Sequence, residues 1–204
     1  MEIRISNTTL ARLILAALFM ACAIPAFSTV IVDENSPPVI DIQKSVYVLE
    51  DKDASLSIKN ILSEDRQNKF KRNEDGKTNF GYTRSALWIK IEINYALSQQ
   101  KRMYLQFKYP PLDHIKFYSP SPDGSYSRTV TGDTLPFKER HIRSRFYYFP
   151  IHSSEGKSTY YLRLINTGPV KFPLSLIDFE TLDRQDHDDQ IFYGAFLGLS
   201  LIHI

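Results

Sequence analysis

Five histidines, His114, His141, His152, His187 and His203, are the first candidates for chemistry in this chain, and none is spaced for it. No pair forms H-x-x-x-H or H-E-x-x-H, the helical spacing that turns two imidazoles toward one zinc ion. G-x-S-x-G, P-loop and G-x-G-x-x-G patterns are also missing, so no nucleophile elbow or phosphate cradle is legible. Asp186, His187, Asp188 and Asp189 could ligate a metal by type, but four consecutive polar residues beside an apolar run read as a solvated linker. No metal and no cofactor is expected. Paired carboxylates for glycoside hydrolysis are set by distance in space and leave no local mark.

Binding chemistry is easier to read. In "FGYTRSALWIKIEINY" (80–95) Leu87, Ile89, Ile91 and Ile93 alternate with Trp88, Lys90, Glu92 and Asn94. That is a strand with one apolar face, and the only tryptophan of the chain stands on the other. The same alternation sets Tyr104, Gln106 and Lys108 opposite Met103, Leu105 and Phe107. It sets His114, Lys116 and Tyr118 opposite Ile115 and Phe117, and Tyr161 and Arg163 opposite Leu162 and Leu164. Rings beside amides and cations suit a sugar or another small polar ligand, because flat rings stack and Lys, Arg and Gln donate to hydroxyls and carboxylates. Mixed surfaces of this kind also serve protein partners. The expected ligand surface is Trp88, Lys90, Gln106, Lys116, Tyr118 and Arg163. In the competing reading Trp88 caps a sheet edge or lies under a loop, its indole N–H bonded to a backbone carbonyl. A secondary candidate is "PFKERHIRSRFYY", where Arg140, Arg143 and Arg145 could pair with carboxylates or phosphates from a loop at the rim. A solvated loop or contact with lipid head groups accounts for that cluster equally well.

The elements that must hold these residues are strands. After 45–50 come 85–94, 102–109, 113–119, 126–131, 144–151, 158–166 and 172–180, separated by "YPPLD", "SPSPDGS", "TGDTLP", "SSEGKS" and "NTGP". "SLSIKNIL" (55–62) reads as a short helix entered from Ser55 or Ser57, and "SEDRQNKFKRNEDGKTN" as loop. Such spacing without intervening helical pattern predicts an antiparallel sandwich or barrel. Its core is expected from Leu87, Ile89, Ile91, Ile93, Leu105, Phe107, Ile115, Phe117, Leu162 and Leu164. Thirteen Phe, twelve Tyr and eleven Pro against eight Gly agree with a strand-and-turn chain.

The 204 residues allow one domain of ordinary size. A formal charge of +2, from 25 basic and 23 acidic residues, gives no basic stripe for a nucleic-acid backbone, so no nucleic-acid partner is expected. Residues 1–28 read as a signal peptide: Arg4 and Arg12, an apolar run from Leu13 to Ile24, then Ala26-Phe27-Ser28. Cys22, the only cysteine, lies inside that segment, so the mature chain would have no disulfide. At the other end, 183–190 reads as an acidic juxtamembrane linker, and 191–204 as the truncated start of a membrane helix or as a buried terminal helix. Fourteen helical residues span about 21 Å against about 30 Å of hydrocarbon.

"FGYTRSALWIKIEINYAL", "YPPLDHIKFY", "GD" followed by "PFKER", and "YYLRL", in this order and ahead of an apolar segment, resemble the periplasmic sensor domain of bacterial seven-transmembrane receptors with diverse intracellular signalling modules, in its second extracellular type. The resemblance implies an all-β fold, an antiparallel jelly-roll β-sandwich similar to carbohydrate-binding modules, over 33–182. It also implies seven membrane helices and a cytoplasmic output domain, such as a diguanylate cyclase or histidine kinase, that this sequence does not contain. The expectation is a non-enzymatic ligand sensor in the periplasm, held at the bacterial inner membrane through the C-terminal hydrophobic segment. It would bind a carbohydrate, another small molecule or a periplasmic protein. A secreted glycan-active enzyme and a protein-docking module are the alternatives on the same fold.

Overall fold

Leu87, Ile89, Ile91 and Ile93 form the inward side of one ten-residue sheet strand, as their spacing requires, and all four are fully buried. The structure, a computed structural model, describes residues 29–97, 101–140, 142–152 and 156–202. The expected signal peptide lies outside them. In chain order the strands are β1 Val30–Val32, β2 Val39–Asp41, β3 Tyr47–Asp51, β4 Lys71–Arg72, β5 Asn79–Tyr82, β6 Ala86–Tyr95 and β7 Met103–Phe107. They continue as β8 His114–Pro120, β9 Tyr126–Thr131, β10 Tyr147–Ile151, β11 Gly156–Ile165, β12 Pro169–Lys171 and β13 Leu174–Asp178. Two short helices, α1 Ile58–Ile61 and α2 Glu64–Gln67, link β3 to β4, and α3 Phe179–Ile202 follows β13 without a break.

The front sheet has seven strands in the order β4-β3-β6-β11-β8-β9, with β1 pairing in parallel to the far half of β6. The back sheet runs β10-β7-β13-β2, and β12-β5 form a separate ribbon. Every pairing except β1 with β6 is antiparallel. The facing sides share one core: Ile89, Ile91, Ile115, Phe117 and Leu162 from the front meet Leu105, Phe107, Phe149, Leu174 and Leu176 from the back. Phe117 stacks on Phe149 across the gap with ring centroids 4.7 Å apart. Each such side chain contributes roughly 1.5–3 kcal/mol by leaving water, so the layers hold without a disulfide. The chain is an all-β sandwich, and all ten expected core residues lie within it.

Three differences from the sequence reading matter for function. The polar stretch 63–79 is not only loop: it contains α2 and the edge strand β4. The short helix before it is entered from Ser57, whose hydroxyl accepts from the Asn60 amide while Asn60 Oδ1 accepts from the Ser57 N–H, a capping box that satisfies two otherwise orphaned donors. Finally, the acidic stretch 183–190, read as a linker, is helical: α3 is continuous from Phe179 to Ile202. Its first turn is fixed by Asp178, and a nucleated helix propagates through exposed polar residues such as Asp183 and Arg184. Among the described residues no helix is long and apolar enough to cross a membrane.

Candidate functional site

The outer face of the front sheet is a grid set by register. One row runs Leu49, Trp88, Arg163, Lys116, Val130 across β3, β6, β11, β8 and β9, and the next runs Tyr47, Lys90, Tyr161, Tyr118, Arg128. Directly paired residues share a face, so five of the six expected ligand residues stand together: Trp88, Lys90, Lys116, Tyr118 and Arg163.

Half of this face is closed by the chain itself. Residues 52–70 cross it, and Leu56, Ile58, Ile61 and Phe70 pack on Tyr47, Leu49, Trp88, Tyr118 and Tyr161 as a second, smaller core. Asp51 starts the crossing by accepting the Leu56 and Ser55 backbone N–H groups at 2.9 and 3.3 Å. Gln67 pins its far end, donating to the Ile61 carbonyl at 2.7 Å and to the Tyr161 hydroxyl at 3.1 Å. Trp88 is thus completely buried, stacked on Tyr118 at 5.6 Å, and does not offer a ring to solvent. Its indole N–H has no acceptor among the described residues, so the expected bond to a backbone carbonyl is not made. Lys90 is also closed off, paired with Glu92 at 3.1 Å, with its ammonium 5.0 Å from the Tyr47 ring centre. Lys157 reaches the second Glu92 oxygen at 3.0 Å, so this buried carboxylate faces two cations. Burial pushes the Tyr118 and Tyr161 phenols up from their ordinary range.

The other half is open and basic. Arg163 donates to the Ala54 carbonyl at 2.6 Å, lies 5.9 Å from the Trp88 ring, and leaves its Nε–H buried without an acceptor among the described residues. Ala54 adopts a left-handed φ of 50°, uncommon for a residue with a Cβ, and this turns the carbonyl region of the crossing segment over the sheet. Lys116 is directly opposite Arg163, and Arg128 is diagonal to it through the Lys116–Val130 pair. Burial, then Arg163, then Arg128 hold the Lys116 ammonium pKa below its ordinary value. Arg128 is a site residue that the sequence concealed. "YSRTVT" is polar on both alternating faces, so period two could not say which side Arg128 takes.

The sixth expected residue, Gln106, is a correction. It lies on β7 in the back sheet, on that sheet's outer side, fully buried, donating to the Tyr148 hydroxyl at 3.0 Å and accepting from the Ser175 hydroxyl at 2.9 Å. Consecutive strands β6 and β7 belong to different sheets, so alternation fixed the inner and outer sides of each strand but not which sheet it joins. Arg140 is likewise occupied with structure: it donates to the Ser144 and Arg145 carbonyls at 2.9 and 3.2 Å and covers the Tyr147 ring at 4.5 Å. Arg143 is exposed, and Arg145 is exposed with its guanidinium 4.6 Å from Phe146.

Three hollows are notable, one of them of about 190 Å³ at the β13–α3 junction beside Lys101, Arg102, Asp178 and Glu180. A cavity of about 20 Å³ between β9, β10 and Arg140 has room for one water. A groove of about 410 Å³ follows the open edge of β3 beside β4, lined by Leu49, Glu50, Arg66, Lys69, Lys71 and Arg72. Among the described residues no three His, Cys, Asp or Glu side chains gather as a metal site.

The sequence landmarks meet at one corner of the sandwich. The Asp113 carboxylate of "YPPLD" accepts from the Thr167 N–H and hydroxyl of "NTGP", both at 2.7 Å, and these bonds hold its pKa below the usual carboxylate range. The Asp113 N–H donates to Asn166 Oδ1 at 2.9 Å. Gly132 of "GD" has φ 150°, and a Cβ there would overlap the Asp113 carbonyl. These residues turn the chain.

The architecture is that of an all-β sandwich domain prolonged by a helix. A protein-family model described as 7TMR-DISM extracellular 2 matches residues 43–178, and the chain belongs to that family. It carries an extracellular sensor domain of the seven-transmembrane receptor class. No curated protein matches it.

Proposed function

We propose that this domain senses a carbohydrate or another small polar ligand in the periplasm of a bacterial inner-membrane receptor, and passes the signal to the membrane through α3. The observation that carries the reading is the junction between sandwich and helix. β13 ends at Asp178 and α3 begins at Phe179, with no residue between. Asp178 accepts the Thr181 N–H at 2.8 Å and pairs with Lys101 at 2.9 Å. The Phe179 N–H donates to the Arg102 carbonyl at 3.0 Å, and the Arg102 guanidinium lies 3.8 Å from the Phe179 ring centre. Leu182 is buried against Tyr148 and Ile177 on the outer side of the back sheet. A shift of that sheet must therefore move the helix. Further along α3, Ile191, Phe196 and Leu199 are exposed, which suits the start of a first membrane helix.

The ligand would bind where Lys116 and Arg163 leave the outer front face open. It would act by differential affinity for two receptor states and could shift their balance by no more than that difference. The output domain, a cyclase or kinase by the family's plan, lies beyond this sequence. The test is a thermal-shift screen of the purified chain against neutral and acidic monosaccharides and small carboxylates. A ligand selective for the folded state raises the melting temperature. Chemical turnover of any compound that binds would instead make the domain an enzyme and overturn the sensor reading.

A further inference from the structure

Lys116, Arg128 and Arg163 bring three cations together, and among the described residues no carboxylate stands with them. Lys116 and Arg163 are directly opposed across β8 and β11, an arrangement that like charges disfavour. Among the described residues none of the three forms an ion pair, whereas the neighbouring row neutralises its buried Lys90 with Glu92. The same face thus builds a counter-charge for one lysine and omits it for the next, 26 residues on in sequence and one row away. Within the cluster itself, Arg163 Nε lacks an acceptor among the described residues. Burying a donor without a partner costs free energy, and a guanidinium in particular is shaped for two oxygens of one anion. Acceptor oxygens are what the place lacks.

We infer that Lys116, Arg128 and Arg163 form an oxyanion site, and that the ligand of the outer front face is an acidic one, presenting a carboxylate or sulfate. The inference deepens the sensor reading and rests on it. Lys116 and Arg128 supply charge from the open side, and Arg163, anchored by Ala54, supplies a fixed guanidinium at the boundary of the closed half. Trp88 is the only tryptophan of the chain and stands 5.9 Å from Arg163, so its emission reports on this site without any label.

The experiment titrates the purified chain with glucuronate, glucose and inorganic sulfate while following Trp88 fluorescence. Glucuronate and sulfate are expected to change the emission saturably, glucose is not, and added chloride should weaken the effect. Lys116→Gln and Arg128→Gln should each weaken glucuronate roughly 10- to 100-fold while leaving the melting curve in place, which separates lost binding from lost folding. Equal binding of glucose and glucuronate, with both lost in Lys116→Gln, would keep the ligand face and overturn its acidic character. Glucuronate binding that survives Lys116→Gln but is lost in Lys71→Gln with Arg72→Gln would place the anion in the β3 edge groove and overturn the site. No response to glucuronate or sulfate at any concentration would overturn the inference outright, while a neutral hit in the thermal screen would leave the sensor reading standing.

Discussion

Trp88 stacks on Tyr118 with 21° between the ring planes, and both rings are shut away from solvent on the side of the front sheet that faces away from the main core. The off-core position of the tryptophan marks a second core, sealed by residues 52–70, and the boundary of that seal runs between Trp88 and Lys116. The solvent-facing cations Lys116 and Arg128 lie on the open side of the boundary, and the stability of the closed side rests on aromatic packing and one buried ion pair.

That ion pair sets the first prediction. Glu92 is about 5 % exposed and faces Lys90 and Lys157. Glu92→Ala leaves the Lys90 ammonium buried without its carboxylate and should cost about 3 kcal/mol in a denaturant melt. The double change Lys90→Met with Glu92→Leu should recover most of the loss, because replacing a buried pair by apolar side chains is often neutral.

The corner at Asp113 gives the second. Gly132→Ala must fit a Cβ against the Asp113 carbonyl at a φ that side chains avoid. A loss of about 2–4 kcal/mol is expected, measured as a lower denaturant midpoint with unchanged slope. Gly124→Ala, also at positive φ but in open space, should cost less.

The third concerns the junction with α3. Burial alone would raise the Asp178 pKa, but the bonds from Lys101 and Thr181 outweigh it and hold the carboxyl below its ordinary value. A depressed folded pKa contributes stability that is fully present above the unfolded value, about 3.9, and is lost as pH falls through the folded value. Asp178→Asn keeps an acceptor for the Thr181 N–H but loses the charge that pairs with half-exposed Lys101, so it should cost no more than about 1 kcal/mol near neutrality, and the gap to the parent should close below about pH 4. Melts of both proteins at pH 7 and at acid pH check the sign.

Much of this was legible beforehand for a physical reason. Strict alternation in β6, β8 and β11 told inner from outer side, because a slip of one residue would have exposed Ile89 or Ile115. Trp88, Lys116 and Arg163 were accordingly placed on one face. Alternation carries no information on which sheet a strand joins, and Gln106 was misplaced for that reason. Nor does it report coverage: the segment that buries Trp88 contributes Leu56, Ile58, Ile61 and Phe70 from a stretch that is otherwise polar. The clustering of Arg128 with Lys116 depends on the β8–β9 register, which "YSRTVT" does not encode.

The division of the outer front face into a closed and an open half is tested most directly by paired denaturant melts of Trp88→Ala and Lys116→Ala, followed by circular dichroism. Removing a ring from the second core should cost about 3–5 kcal/mol, while removing a lysine held between two arginines should change stability by no more than about 0.5 kcal/mol. A nearly unchanged Trp88→Ala protein beside a severely destabilised Lys116→Ala protein would contradict the account.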